Sequence, residues 1–201
     1  MRGLNTTLGR LSRIALVVAL SAGVGAAAYY VAPTILPRQP AGDQPASNGP
    51  GGPSLVQYPA GWTEIPLTKD DIRAGILLQL RRSAPEAAFL VRGIVGTQEQ
   101  KVDLAALARQ TEESLRREIS GASSFRNSVV TIGRRELVYI NYVQAGQAGG
   151  PFLNDLYILP TPRQTFYFSL RSSQAAEDTV RADKEQILRI AVEVIDSKLG
   201  N

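Results

Sequence analysis

Residues 125–144 read FRNSVVTIGRRELVYINYVQ. Two extended runs, 125–133 and 134–144, meet at Gly133, and β-branched and aromatic residues fill both. Gly adopts tight-turn conformations at little cost, so the stretch predicts a β-hairpin. In the second run Val138, Ile140 and Tyr142 alternate with Leu137, Tyr139 and Val143. Successive strand side chains point to opposite faces, so apolar residues at both parities predict a strand covered on both sides.

The same reading extends outward. Downstream, GQAGGP (146–151) is a loop, and FLNDLYIL (152–159) and QTFYFSLRS (164–172) are strands flanking a PTPR turn. Residues 177–200 carry a helical period with Ile187, Ala191, Val194 and Ile195 inward, closed by Lys198 and Gly200. Upstream, Leu104, Leu107, Ala108, Thr111, Leu115 and Ile119 fall on one helical face, with Asp103 as N-cap and Gly121 as stop. GILLQLRRS (75–83) and AAFLVRGIVG (87–96) are strand-like, and 55–67 reads as a short strand, a Pro-Gly turn and extended chain. Hairpin connections with two covering helices predict an α+β fold, a largely antiparallel sheet in an α/β/α-type sandwich.

The first 54 residues have a different composition. Residues 14–36 hold no charge over 23 positions; as a helix they would span about 34 Å against a hydrocarbon core of about 30 Å. Arg2, Arg10 and Arg13 precede this run and no acidic residue does, which predicts a basic cytoplasmic segment 1–13, a signal-anchor 14–36 and a C-terminal domain that is periplasmic or extracellular. Tyr29 and Tyr30 lie toward its outer end. The alternative is a signal peptide cleaved after Ala26-Ala27-Ala28. Ala15, Ala19, Gly23 and Ala27 form a small-residue stripe suited to self-association within a bilayer. Residues 37–54 contain five prolines and four glycines with no apolar period, the composition of a linker, which places the domain at 55–201.

The composition excludes several chemistries. There is no Cys and no His, so disulfides, zinc sites of the usual kind and Cys–His or Ser–His catalytic pairs are absent. Of the net charge of +4, the first 54 residues hold four arginines against Asp43, leaving 18 basic and 17 acidic residues in the domain. That balance is not the footprint of a nucleic-acid surface. No nucleophile elbow, Ser-x-x-Lys or phosphate-binding loop occurs. Three acidic pairs remain as candidates for acid/base or hard-cation work: Asp70-Asp71, Glu112-Glu113 and Glu177-Asp178. Asp155, inside an apolar strand, is a fourth, and Arg81-Arg82, Arg116-Arg117 and Arg134-Arg135 are candidate contacts for acidic partners.

Tyr58-Pro59-Ala60-Gly61-Trp62 holds the only tryptophan and directly precedes the first strands. Its place predicts a structural role, the ring clamping the first strand onto the core. The stretch resembles the opening signature of the PsbP-like superfamily, which includes the extrinsic photosystem II subunit and bacterial DcrB-like envelope proteins; the element order resembles that family over about 55–199. The resemblance implies a noncatalytic binding or assembly domain with Tyr58, Pro59, Gly61 and Trp62 as structural markers. Metal ligation in some members uses histidine, and with no His here that role does not transfer. The resulting expectation is a membrane-anchored module with an envelope protein partner, no cofactor, no metal and no enzymatic activity. The alternatives are a carrier or sensor of a small apolar ligand and a carboxylate-based enzyme.

Overall fold

The computed structural model describes residues 57–96, 102–146 and 150–199, with side chains through 197. The segments 1–13, 14–36 and 37–54, the small-residue stripe and the closing Lys198 and Gly200 side chains fall outside that description. No helix of the described residues is long and apolar enough to cross a membrane.

Among the described residues seven strands form one antiparallel sheet: β1 (Trp62–Glu64), β2 (Ile76–Ser83), β3 (Glu86–Val95), β4 (Ala122–Ile132), β5 (Arg135–Gln144), β6 (Phe152–Pro160) and β7 (Gln164–Ser173). Their spatial order is β1-β2-β3-β7-β6-β5-β4. Three α-helices accompany them among the described residues: α1 (Lys69–Arg73), α2 (Leu104–Glu118) and α3 (Glu177–Leu199). The β4–β5 hairpin pairs Ile132 with Arg135 around Gly133, whose φ is +61°.

Register assigns the faces, because directly paired residues share one. On the first face Leu80, Phe89, Leu170, Asp155 and Asn141 form one row, and Leu78, Val91, Phe168, Tyr157 and Tyr139 the next. Helix α3 packs across this face against β3 and β7. The main core lies between them and includes Trp62, Leu80, Phe89, Phe168, Leu170, Ile187 and Leu188. On the second face Leu90, Ser169, Leu156, Ile140 and Asn127 form one row, and Arg92, Tyr167, Ile158, Val138 and Val129 the next. Helix α2 packs there against β4 and β5, and α1 packs beside β2. The fold is thus α+β with helices on both faces.

Local chemistry sets the helix ends. Asp103 caps α2 by accepting the Ala106 N–H at 3.0 Å. The helix stops at Glu118, and Gly121 serves the turn into β4 rather than the helix end: its φ is +76°, and the Ala122 N–H bonds the Ile119 carbonyl. On α3 the buried stripe is Ile187, Leu188, Ala191, Val192 and Ile195, while Val194, expected inward, is half-buried. Before Trp62 the described chain is not a strand; Pro59 to Trp62 is a turn, closed by the Trp62 N–H on the Pro59 carbonyl, with Gly61 at φ +84°. Helix α1 was not expected, since five residues are too few for a readable period. Thr68 and Asp71 cap it reciprocally.

Candidate functional site

Trp62 is 7% exposed, and its indole N–H donates to Asp183 Oδ2 on α3 at 3.1 Å. Arg82, paired with Trp62 across β1 and β2, donates to the same carboxylate. A Cβ at Gly61 would stand 3.6 Å from Arg82 Nε, so the turn lies against this cluster. Tyr58 is partly buried against the main core. The opening stretch therefore ties the outermost strand to the final helix through an aromatic ring and a shared carboxylate.

A second polar cluster lies inside the first face. Lys184 of α3 is buried, its ammonium 2.5 Å from Asp155 Oδ2 and 2.7 Å from Glu177 Oε2. Asp155 Oδ1 accepts from the Tyr139 hydroxyl and from Asn141 Nδ2, each at 2.8 Å. Glu177 also accepts from the Ser172 hydroxyl at 2.8 Å. Three strands and one helix thus supply one network in which each carboxylate meets the ammonium and a neutral donor. Tyr139 and Tyr157 stack above it, ring centroids 4.7 Å apart. Burial, then the Asp155 charge, pushes both phenols far above their usual range. These tyrosines are fixed as neutral groups.

The remaining acidic candidates are dispersed. Asp70 bonds Arg73, and Asp71 accepts from the Thr68 hydroxyl and N–H, which lowers its pKa. Burial would raise the Glu112 carboxyl, but hydrogen bonds from Asn127 and Arg116 outweigh it and hold it low. Glu113 is exposed, its carbonyl accepting from Arg117. Of the third pair, Glu177 enters the network above while Asp178 faces solvent beside Arg181. Among the described residues no group of three or more acidic side chains could hold a metal ion. The arginine pairs likewise separate: Arg81 lies near Glu86, Arg116 over the Phe125 ring, Arg135 on Asp196, and Arg134 is exposed.

Two features escaped the reading by periodicity. Lys184 stands four residues from Val180 and from Leu188, inside the buried stripe of α3; a cation there, with an aspartate inside an apolar strand, is a pairing signal. Arg92 is the other. It interrupts the apolar run of β3, is 8% exposed, and donates from Nε to the Ala74 carbonyl at 2.7 Å. Its Nη1 is buried and bonds nothing. Burial lowers its pKa, partly offset by Tyr167, which pairs with it across β7.

No protein-family model matches this sequence, and neither does any curated protein. Solved structures similar to it include a cyanobacterial PsbP from Synechocystis sp. PCC 6803, at 12% identity over 65% of this chain and 81% of that one, with a TM-score of 0.47. LpqN of Mycobacterium tuberculosis, described as involved in cell envelope biogenesis, is similar at 13% identity over 64% and 75%, with a TM-score of 0.44. A Bacteroides thetaiotaomicron protein matches at 17% identity over 63% of this chain but only 40% of its own length, with a TM-score of 0.43.

Proposed function

We propose that this protein is a noncatalytic binding or assembly module, held outside the cytoplasm by residues 14–36 and carried on the 37–54 linker. Carrying this reading is the fate of the domain's ionisable groups. Asp155 and Glu177 share the Lys184 ammonium inside the sheet–helix interface, with Arg181 3.7 Å from Glu177 as a second cation, Asp183 serves Trp62 and Arg82, and Glu112 serves Arg116 and Asn127. Catalytic carboxylates converge on a cleft where substrate reaches them. Here they are spent on holding helices to strands. The uncharged span and the arginines before it support the anchor, and the opening stretch's resemblance to PsbP-like proteins supports an assembly role.

The test has two parts. Carbonate-washed membranes should retain the full-length chain, and protease added to spheroplasts should remove its C-terminal domain. In-cell crosslinking followed by mass spectrometry should then recover a defined envelope protein. Release by carbonate, or a mature N-terminus near Tyr29, would replace the anchor with a cleaved signal. Crosslinking only to abundant bystanders would count against assembly.

A further inference from the structure

The second face of the sheet is unevenly covered. Helix α2 packs on β4 and β5, and α1 packs beside β2. Between them β3 and β7 present Leu90, Ile94, Tyr167 and Ser169, all only partly buried. Arg92 belongs to this strip and is its one deeply buried polar side chain. No ion pair of the described residues includes it. Desolvating a guanidinium without a counter-charge is costly, and leaving one of its N–H groups unbonded adds to the cost. The opposite face shows the ordinary solution, since Lys184, equally buried, meets two carboxylates. A charge kept buried with a bond unmade is the arrangement expected where the counter-ion arrives from outside.

We infer that Arg92 is the anion-binding arm of a ligand site on the β3–β7 strip, for a small molecule with a carboxylate or phosphate-ester group and a short apolar tail. A planar guanidinium with Nε engaged still offers Nη1 to one anionic oxygen, and the neighbouring Tyr167 phenol is a neutral donor for a second. Leu90 and Ile94, on the same face and strand, supply an apolar surface for the tail. Beside Arg92 lies the end of α1, a helix that buries none of its own side chains. Arg92 holds that helix end through the Ala74 carbonyl, and Gly75, which follows at φ +80°, accepts from the Gly93 N–H at 2.9 Å. This inference rests on the proposed binding role and deepens it. The anchor can fail in the carbonate wash with this site intact.

The test is calorimetric titration of the full-length chain in zwitterionic nanodiscs, with empty discs as the blank. The probes are sodium hexanoate, hexyl phosphate, hexanol and inorganic phosphate. At least one hexyl acid should bind, with hexanol and inorganic phosphate at least about tenfold weaker, a difference of about 1.4 kcal/mol. Arg92→Met should abolish binding and raise the Tm by a few degrees, because it replaces an uncompensated charge with an apolar chain of similar length. Arg92→Lys, which keeps the charge without the fork, should bind measurably but more weakly. Discs containing phosphatidylglycerol distinguish the source: competition there assigns the anionic group to a membrane lipid, and undiminished binding assigns it to a soluble acid. Absence of binding by both acids, hexanol or phosphate binding as tightly as they do, or unchanged affinity in both Arg92 variants would each overturn the site.

Discussion

The two faces of the sheet bury a cation each and treat it oppositely. On the α3 side Lys184 sits among Asp155 and Glu177, themselves bonded to Tyr139, Asn141 and Ser172. On the other side Arg92 has one backbone carbonyl and an unbonded Nη1. A closed network specifies which residues of α3 meet which strands, since a slip of the helix would leave charges unpaired in an apolar interface. Beyond holding the Ala74 carbonyl, a buried cation without an anion lowers stability, and the proposed ligand supplies the missing partner.

The closed side can be broken most severely at its centre. Lys184→Met should lower unfolding stability by about 3–5 kcal/mol, because Asp155 and Glu177 would stay buried without their cation. Urea denaturation measures it, and a loss under about 1 kcal/mol would mean the network is not what holds α3. Trp62→Ala should cost about 3 kcal/mol, from the cavity and the lost anchor on Asp183. Trp62→Phe should recover most of that and lose about 1 kcal/mol for the N–H bond. Native tryptophan emission should be blue-shifted from that of the unfolded chain; emission at the unfolded wavelength together with an unchanged Tm in Trp62→Ala would release the ring from its structural role.

A pH titration sharpens the same contrast. Burial raises the phenol of Tyr142 to about 12, and those of Tyr139, Tyr157 and Tyr167 also lie above their usual value. A raised pKa means that the folded state holds its proton more tightly than the unfolded chain does. Stability from these groups is therefore complete below about pH 10 and declines as pH rises through the folded values. For Tyr142 alone the decline between pH 10 and 12 is about 2–3 kcal/mol. Absorbance at 295 nm should show these tyrosines ionising together with unfolding. Smooth ionisation of all of them near pH 10 in a chain whose circular dichroism is native would contradict the burial. The smallest effect belongs to α1: Thr68→Ala removes its capping box and should cost about 1 kcal/mol or less, read by urea denaturation. A loss as large as that at Trp62 would show that α1 is a fixed part of the domain rather than a cover near Arg92.

Much of this was legible in the sequence because it is local. The β4–β5 hairpin needs only Gly133 between two β-rich runs, and β5 shows its double coverage in the residues at 137–143. The N-cap at Asp103 and the amphipathic stripe of α3 are likewise properties of a few adjacent turns. Shorter or irregular features were less readable: α1 spans barely one turn, and β4 takes a bulge between Ser123 and Arg126 with Ser124 at φ +55°.

By itself, then, the sequence determined the longer elements, their order and the absence of cysteine and histidine chemistry, since periodicity and composition are carried by neighbours along the chain, while α1 and the start of β1 at Trp62 were not legible. Only the tertiary structure decided which charges meet. Asp155, Glu177 and Lys184 stand on different elements, and the strand order that sets β7 between β3 and β6 brings them together. The same strand order puts Arg92 beside Tyr167, on the face that α2 covers at β4 and β5. Whether a buried charge is answered depends on the side chains arriving from distant positions, and no local spacing encodes that.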